Sequence, residues 1–158
     1  MKRFIAIFIC LAMAAAAFAQ DGKRIYNKFS SEEGVDAVYI SPAMMKMIGN
    51  IPELTVNEVD LAPVLKSMTG LYVINVENSR SRAALRSEVE KLTGGGRFEL
   101  LMEAKSDGDN VRMYASYKGD YVSCFILFAE EPAECSFICI EGQISRQDAD
   151  KMLGSINR

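Results

Sequence analysis

The order of apolar segments predicts an α+β domain. Its expected core is a mixed sheet of about six strands, built from two βα crossovers and then an antiparallel four-strand meander, with helices mainly on one face. Three observations carry this. Short β-branched and aromatic runs at 35–40 and 71–76 are each followed by apolar residues at helical spacing. From residue 98 onward, four strand-like runs follow one another, separated only by turn residues: Asp107-Gly108, Gly119-Asp120 and a stretch containing Pro132. A helix-start signal then opens at Ser145.

Taken in order, Arg24 to about Ser31 reads as a short helix with Ile25 and Phe29 on one face, ended by Gly34. Val35 to Ile40 is a strand. Ser41-Pro42 supplies an N-cap and a first helical residue, and the helix runs to Ile48 before Gly49 stops it. Asn50 to Thr55, with Pro52, reads as a loop. Asn57 to Met68 reads as helical, with Leu61, Leu65 and Met68 on one face, Pro63 starting or kinking it and Gly70 as its C-cap. Leu71 to Val76 is the second strand. Ser79 to Thr93 is a helix with Leu85, Val89 and Leu92 at core spacing, and Gly94-Gly95-Gly96 breaks it.

In the meander, alternation turns Phe98, Leu100, Met102 and Ala104 inward, and likewise Val111, Met113, Ala115 and Tyr117. Tyr121 to Phe128 is apolar on both faces, the mark of a central, covered strand. Cys135 to Glu141 is the last strand. Ser145 and Asp148 form a carboxylate variant of the capping box, Ile144 can staple onto Ala149, and Met152, Leu153 and Ile156 are expected to pack inward.

The first residues read as a targeting segment rather than as structure. Lys2 and Arg3 precede the apolar run Phe4 to Ala17, and Ala17-Phe18-Ala19 is a small-x-small cleavage signal. Residues 1–19 are therefore expected to be a signal peptide cleaved after Ala19, leaving one domain over 20–158 in the periplasm or envelope. Cys10 follows Ile9 rather than a small residue, which makes a poor lipobox. The run is too short for a stable transmembrane helix of about 20 residues.

Composition narrows the chemistry. The net charge is −3, and loss of Lys2 and Arg3 makes the remainder more acidic, which disfavours nonspecific nucleic-acid binding. Histidine is absent, so a Ser-His-Asp or Cys-His catalytic unit cannot be built. Beyond the leader stand Cys124, Cys135 and Cys139, an odd number that is no disulfide scaffold.

The segments VYISPAMMKMIG (38–49), GRFELLMEAKSDGDNVRMY (96–114) and EGQISRQDADKML (141–153) resemble domain-of-unknown-function family 4252, a group of small exported bacterial proteins. The resemblance runs from about Lys23 to Ile156. It implies an exported α+β domain with no assigned activity and supplies no catalytic residues.

Four groups remain as candidate sites. Met44 and Met47 lie i, i+3 on a helix and would present two thioethers, which suit copper(I), with Cys135 and Cys139 as further soft ligands. The competing reading, and the preferred one, makes the methionines core filler. Cys124 pairs across a symmetric turn from Cys139, as small buried hydrophobes or as a cross-strand disulfide. Ser79-Arg80-Ser81-Arg82 with Arg86 puts positive charge at a helix start, against the macrodipole unless something anionic sits there. By alternation Glu99, Glu103, Lys105, Arg112, Tyr114, Ser116 and Lys118 form the outward, mixed-charge face of the meander and the expected binding surface. Together these give an exported, non-enzymatic protein without a cofactor, binding another envelope protein through a sheet face or edge. The alternative is a soft-metal or thiol-redox protein.

Overall fold

Helix α1 (Asp21–Phe29) opens the described chain, and its Ile25 and Phe29 are fully buried, as their spacing requires. The computed structural model describes residues 21–50, 55–56, 59–60 and 62–150. The leader with Cys10 and its cleavage point, the loop at Pro52, the helical reading of Asn57 and Leu61, and the packing of Met152, Leu153 and Ile156 lie outside the described residues.

Strand β1 (Val35–Ile40) follows Gly34, whose φ of 73° turns the chain. Helix α2 (Pro42–Gly49) starts as expected: the Ser41 Oγ accepts from the Met44 amide at 3.2 Å, with Pro42 just behind the cap. Thr55–Val56 (β2) and Val59–Asp60 (β3) pair as a small hairpin, where a longer helix was expected. Helix α3 is only Ala62–Ser67, so Pro63 stands at its start, and Gly70 lies inside strand β4 (Met68–Val76) rather than capping a helix. Helix α4 (Ser79–Thr93) coincides with its sequence reading. The meander follows as β5 (Phe98–Ser106), β6 (Asp109–Lys118), β7 (Tyr121–Glu130) and β8 (Cys135–Ser145). Helix α5 begins at 146, with Ser145 Oγ accepting from the Asp148 amide at 3.1 Å. Ile144 and Ala149 are both buried in one cluster, as the staple predicts.

The α+β class and the six-strand sheet hold; two finer features differ. The strand order is β1-β4-β8-β7-β6-β5, and every neighbouring pair is antiparallel, so the sheet is not mixed. The reason lies in the excursion between β1 and β4. It returns the chain to the end of the sheet where β1 finished, so that Ile40 faces Leu71. A parallel pair would need the chain carried back to the opposite end. The connection through α4 does link two strands of like direction, but β8, β7 and β6 lie between β4 and β5.

Helices also cover both faces rather than mainly one. On the first face, α1 (Ile25, Phe29) and α4 (Leu85, Val89, Leu92) pack onto Ile74, Val76, Ile126, Phe128, Phe137 and Cys139. On the second, α2 (Met45), α3 (Val64) and α5 (Ala149) pack with Phe125, Ile140 and Leu71 at one end of the sheet. Strand β7 supplies both clusters, which is why its sequence is apolar without alternation. Each fully buried phenylalanine contributes about 1.5–3 kcal/mol.

Candidate functional site

The second face is where the sheet stays open. The residues Ile40, Leu71, Ile140, Phe125 and Ala115 are register partners in one row across the sheet, and all belong to the cluster under α2, α3 and α5. One step along every strand comes a second row of partners: Val38, Val73, Ile138, Leu127, Met113 and Met102. Its four inner members are half-buried, and its ends are open, Val38 at 52% and Met102 at 43% exposure. A third row is small or polar: Asp36, Asn75, Ser136, Ala129, Val111 and Ala104. The outcome is an uncharged apolar stripe taking one residue from each of the six strands, bounded by helices on one side and by low relief on the other.

This stripe is not the surface that alternation suggested. Of the seven residues expected to face outward, Glu99, Glu103, Lys105 and Lys118 are exposed, and Lys105 pairs with Glu103 at 3.0 Å. Tyr114 and Ser116 are buried, and Arg112 is largely enclosed. Tyr114 belongs to the first-face core. Ser116 shares a hydroxyl–hydroxyl hydrogen bond of 2.8 Å with Ser123. Arg112 lays its guanidinium 5.4 Å from the Phe128 ring centroid and pairs with Glu130, which also pairs with Arg86 of α4. Meanwhile Leu100 and Met102, expected inward, are exposed, and Val111 and Met113 are half-buried. The physical cause is which face the longest helix covers. Alternation sorts residues into two sets, but α4 and α1 cover the set holding Tyr114 and Arg112. A bulge between Leu100 and Met102 changes the phase again on β5.

Met44 and Met47 are exposed, and only Met45 is core, which corrects the core reading for those two residues. They do not meet the cysteines: α2 packs on the second face, while Cys135 and Cys139 lie in the first-face core. Cys135 and Cys139, four residues apart on one strand, are separated by about 13 Å. Among the described residues no group of three or more Cys, Asp or Glu side chains is placed to hold a metal ion.

Cys124 and Cys139 meet, though not as the direct pair a symmetric turn would give: Cys124 is the register partner of Glu141, and Cys139 of Ile126. Their Sγ atoms are 3.3 Å apart, on adjacent strands beneath α1. The hydrogen bond between the thiols and their burial hold the Cys139 pKa well above the usual thiol value. Beside them Glu141, also buried, accepts a 2.8 Å hydrogen bond from the Gly22 amide in the first turn of α1. Desolvation raises the Glu141 pKa, partly offset by that amide. Tyr72 lies against the same spot, stacked on the half-open Tyr39 with ring centroids 5.0 Å apart.

The basic start of α4 is answered within the chain. Ser81 donates to Glu32 at 2.6 Å, Arg82 to the Pro132 carbonyl at 2.7 Å, and Arg86 to Glu130. Glu32 thus supplies the anion that the helix start requires. Sequence reasoning also missed Glu88, a largely buried carboxylate held by Arg24 at 2.9 Å and Lys28 at 2.8 Å. Its only sequence signal is a charge at a position flanked by the core residues Leu85, Val89 and Leu92.

The family model "Domain of unknown function (DUF4252)" matches residues 26–152, and the chain belongs to that family. No curated protein and no solved structure matches the chain. No helix among the described residues is long and apolar enough to cross a membrane.

Proposed function

We propose that this member of the DUF4252 family is an exported, non-enzymatic binding protein that docks another protein of the cell envelope on the open second face of its sheet. One observation carries the reading: the registered apolar row Val38, Val73, Ile138, Leu127, Met113 and Met102, half-buried at its centre and open at its ends, beside the row under α2, α3 and the described start of α5. A stripe of this kind, flanked by small side chains, suits close approach by an apolar segment of a partner. Met44 and Met47, exposed on α2, are further apolar side chains that adapt to a partner's shape. Both sheet edges are less inviting. Strand β1 is short, and β5 carries Glu99, Glu103 and Lys105 together with its bulge. Among the described residues the soft-metal alternative lacks a joint ligand set, because α2 with Met44 and Met47 packs on the face opposite Cys135 and Cys139.

The test is site-specific photo-cross-linking in intact cells, with the reactive residue placed at Val38, at Met102, or at exposed Glu90 on α4. Adducts with one envelope protein from Val38 and Met102 but not from Glu90 are expected. Adducts from Glu90 alone, or from no position, would sink the reading.

A further inference from the structure

We propose that Cys124 and Cys139 are a redox site: a buried dithiol, in contact across β7 and β8, that a disulfide-bearing oxidant converts to a cross-strand disulfide under the first turn of α1. This stands independently of the docking face, which is on the other side of the sheet.

Among the described cysteines these two sulfurs are the ones in contact. They are 3.3 Å apart, and a disulfide needs about 2.0 Å; Cys124 and Cys139 sit diagonally, opposite Glu141 and Ile126, so closing the bond draws the two strands together as well as rotating the side chains. Cys135 is fully buried near Arg86 and Glu130, about 13 Å along the strand from Cys139, and cannot compete. The pair is also sealed. Cys139 is 0% exposed and Cys124 7%. Gly22 of α1 lies directly over Cys139: a Cβ there would stand 2.8 Å from the Cys139 Sγ and 2.6 Å from Tyr72 Cδ2. With α1 seated, both sulfurs stay out of reach. With α1 lifted, or before it docks during folding, they are open to exchange.

The chemistry is two successive thiol–disulfide exchanges. One cysteine loses its proton, and its sulfur attacks the oxidant's disulfide. That S–S bond breaks, and one half of the oxidant leaves as a thiolate and takes up a proton. The second cysteine then loses its proton and attacks the mixed disulfide at the first cysteine's sulfur. The Cys124–Cys139 bond forms, and the other half of the oxidant leaves as a thiol. Two electrons pass from the dithiol to the oxidant, and both protons end on its released thiols. Helix α1 acts as the gate. Its amide-to-Glu141 hydrogen bond and the close approach of Gly22 set how often the sulfurs are reached.

The experiment is refolding of the full chain from urea in a buffer of reduced and oxidised glutathione, followed by acid quench, alkylation and peptide mapping. The expected product has Cys124 and Cys139 in one linked pair of peptides, lighter by about 2 Da, and Cys135 alkylated. The native chain should reach the same product more slowly, and Gly22→Ala, which pushes α1 off the sulfurs, should speed that native reaction several-fold. Alkylation of Cys124, Cys135 and Cys139 alike after refolding would overturn the proposal. So would a linkage involving Cys135, or glutathione left on Cys124 or Cys139. A Gly22→Ala chain that oxidises no faster than its parent would overturn the role given to α1.

Discussion

Two buried carboxylates show how one residue type takes opposite roles. Glu88 is held by Lys28 and Arg24, and these hydrogen bonds lower its pKa from 4.5 to about 2. Its contribution to stability is complete above the unfolded value and is lost as pH falls from about 4.5 towards about 2. With half-exposed cationic partners, solvent screening reduces that contribution to about 1–2 kcal/mol. Glu88→Gln should therefore lower urea stability by about that much at pH 7, with the difference vanishing near pH 2; equal stability at pH 7 would contradict the bridge. Glu141 runs the other way. Its pKa is raised by burial, so its deprotonation is penalised in the folded state. Its contribution is present below the unfolded value and is lost as pH rises through the folded one. Glu141→Gln keeps an acceptor for the Gly22 amide and removes the charge. It should match the parent in stability at pH 4 and exceed it at pH 7 in urea titrations. A variant weaker than the parent at pH 7 would mean that the ionised carboxylate is better paired than its burial implies.

At the level of elements, α4 was the most legible. Its bounds follow from Leu85, Val89 and Leu92 at core spacing and from the glycines after Thr93, because a helix stops where its backbone partners end. Its N-cap is Asn78, which accepts from the Ser81 amide at 2.7 Å and donates to the Glu33 carbonyl at 3.0 Å. Asn78→Ala should cost about 1–2 kcal/mol. Hydrogen exchange should show the loss concentrated in the first turn of α4, and uniform loss across the sheet would argue against a capping role. The short pieces were less legible. The segment between Gly49 and Met68 carries apolar residues at helical spacing, yet among its described residues Ala62–Ser67 is helical and Thr55–Val56 pairs with Val59–Asp60. On β5 the bulge after Leu100 is silent in the sequence, because nothing in Leu-Leu-Met tells which residue is the extra one.

Across the whole molecule, the question is which side of the meander is inside. Tyr114 sits in the first-face core while Met102 is open on the second face. Tyr114→Ala should therefore cost about 3 kcal/mol, and Met102→Ala well under about 1 kcal/mol. Urea titration of the two variants decides it: a costly Met102 and a neutral Tyr114 would restore the face assignment that alternation suggested. The same exchange of faces moves the candidate site. Glu99, Glu103, Lys105 and Lys118 stay at the surface, while Arg112, Tyr114 and Ser116 become internal supports, and the apolar half of the alternation becomes the surface on offer.

The sequence by itself determined the α+β class, the meander and its turns, the Ser41 and Ser145 helix starts and the length of α4. All of these rest on local periodicity, capping and turn chemistry, which act over a few residues. Only the tertiary structure decided the antiparallel pairing of β1 with β4, the covering of both faces by helices, and the diagonal register at which Cys124 meets Cys139. Alternation divides a strand's residues into two sets without ordering them. The choice between the sets is made by where distant helices land, through burial and ion pairs such as Arg112–Glu130–Arg86 that join residues far apart in the chain.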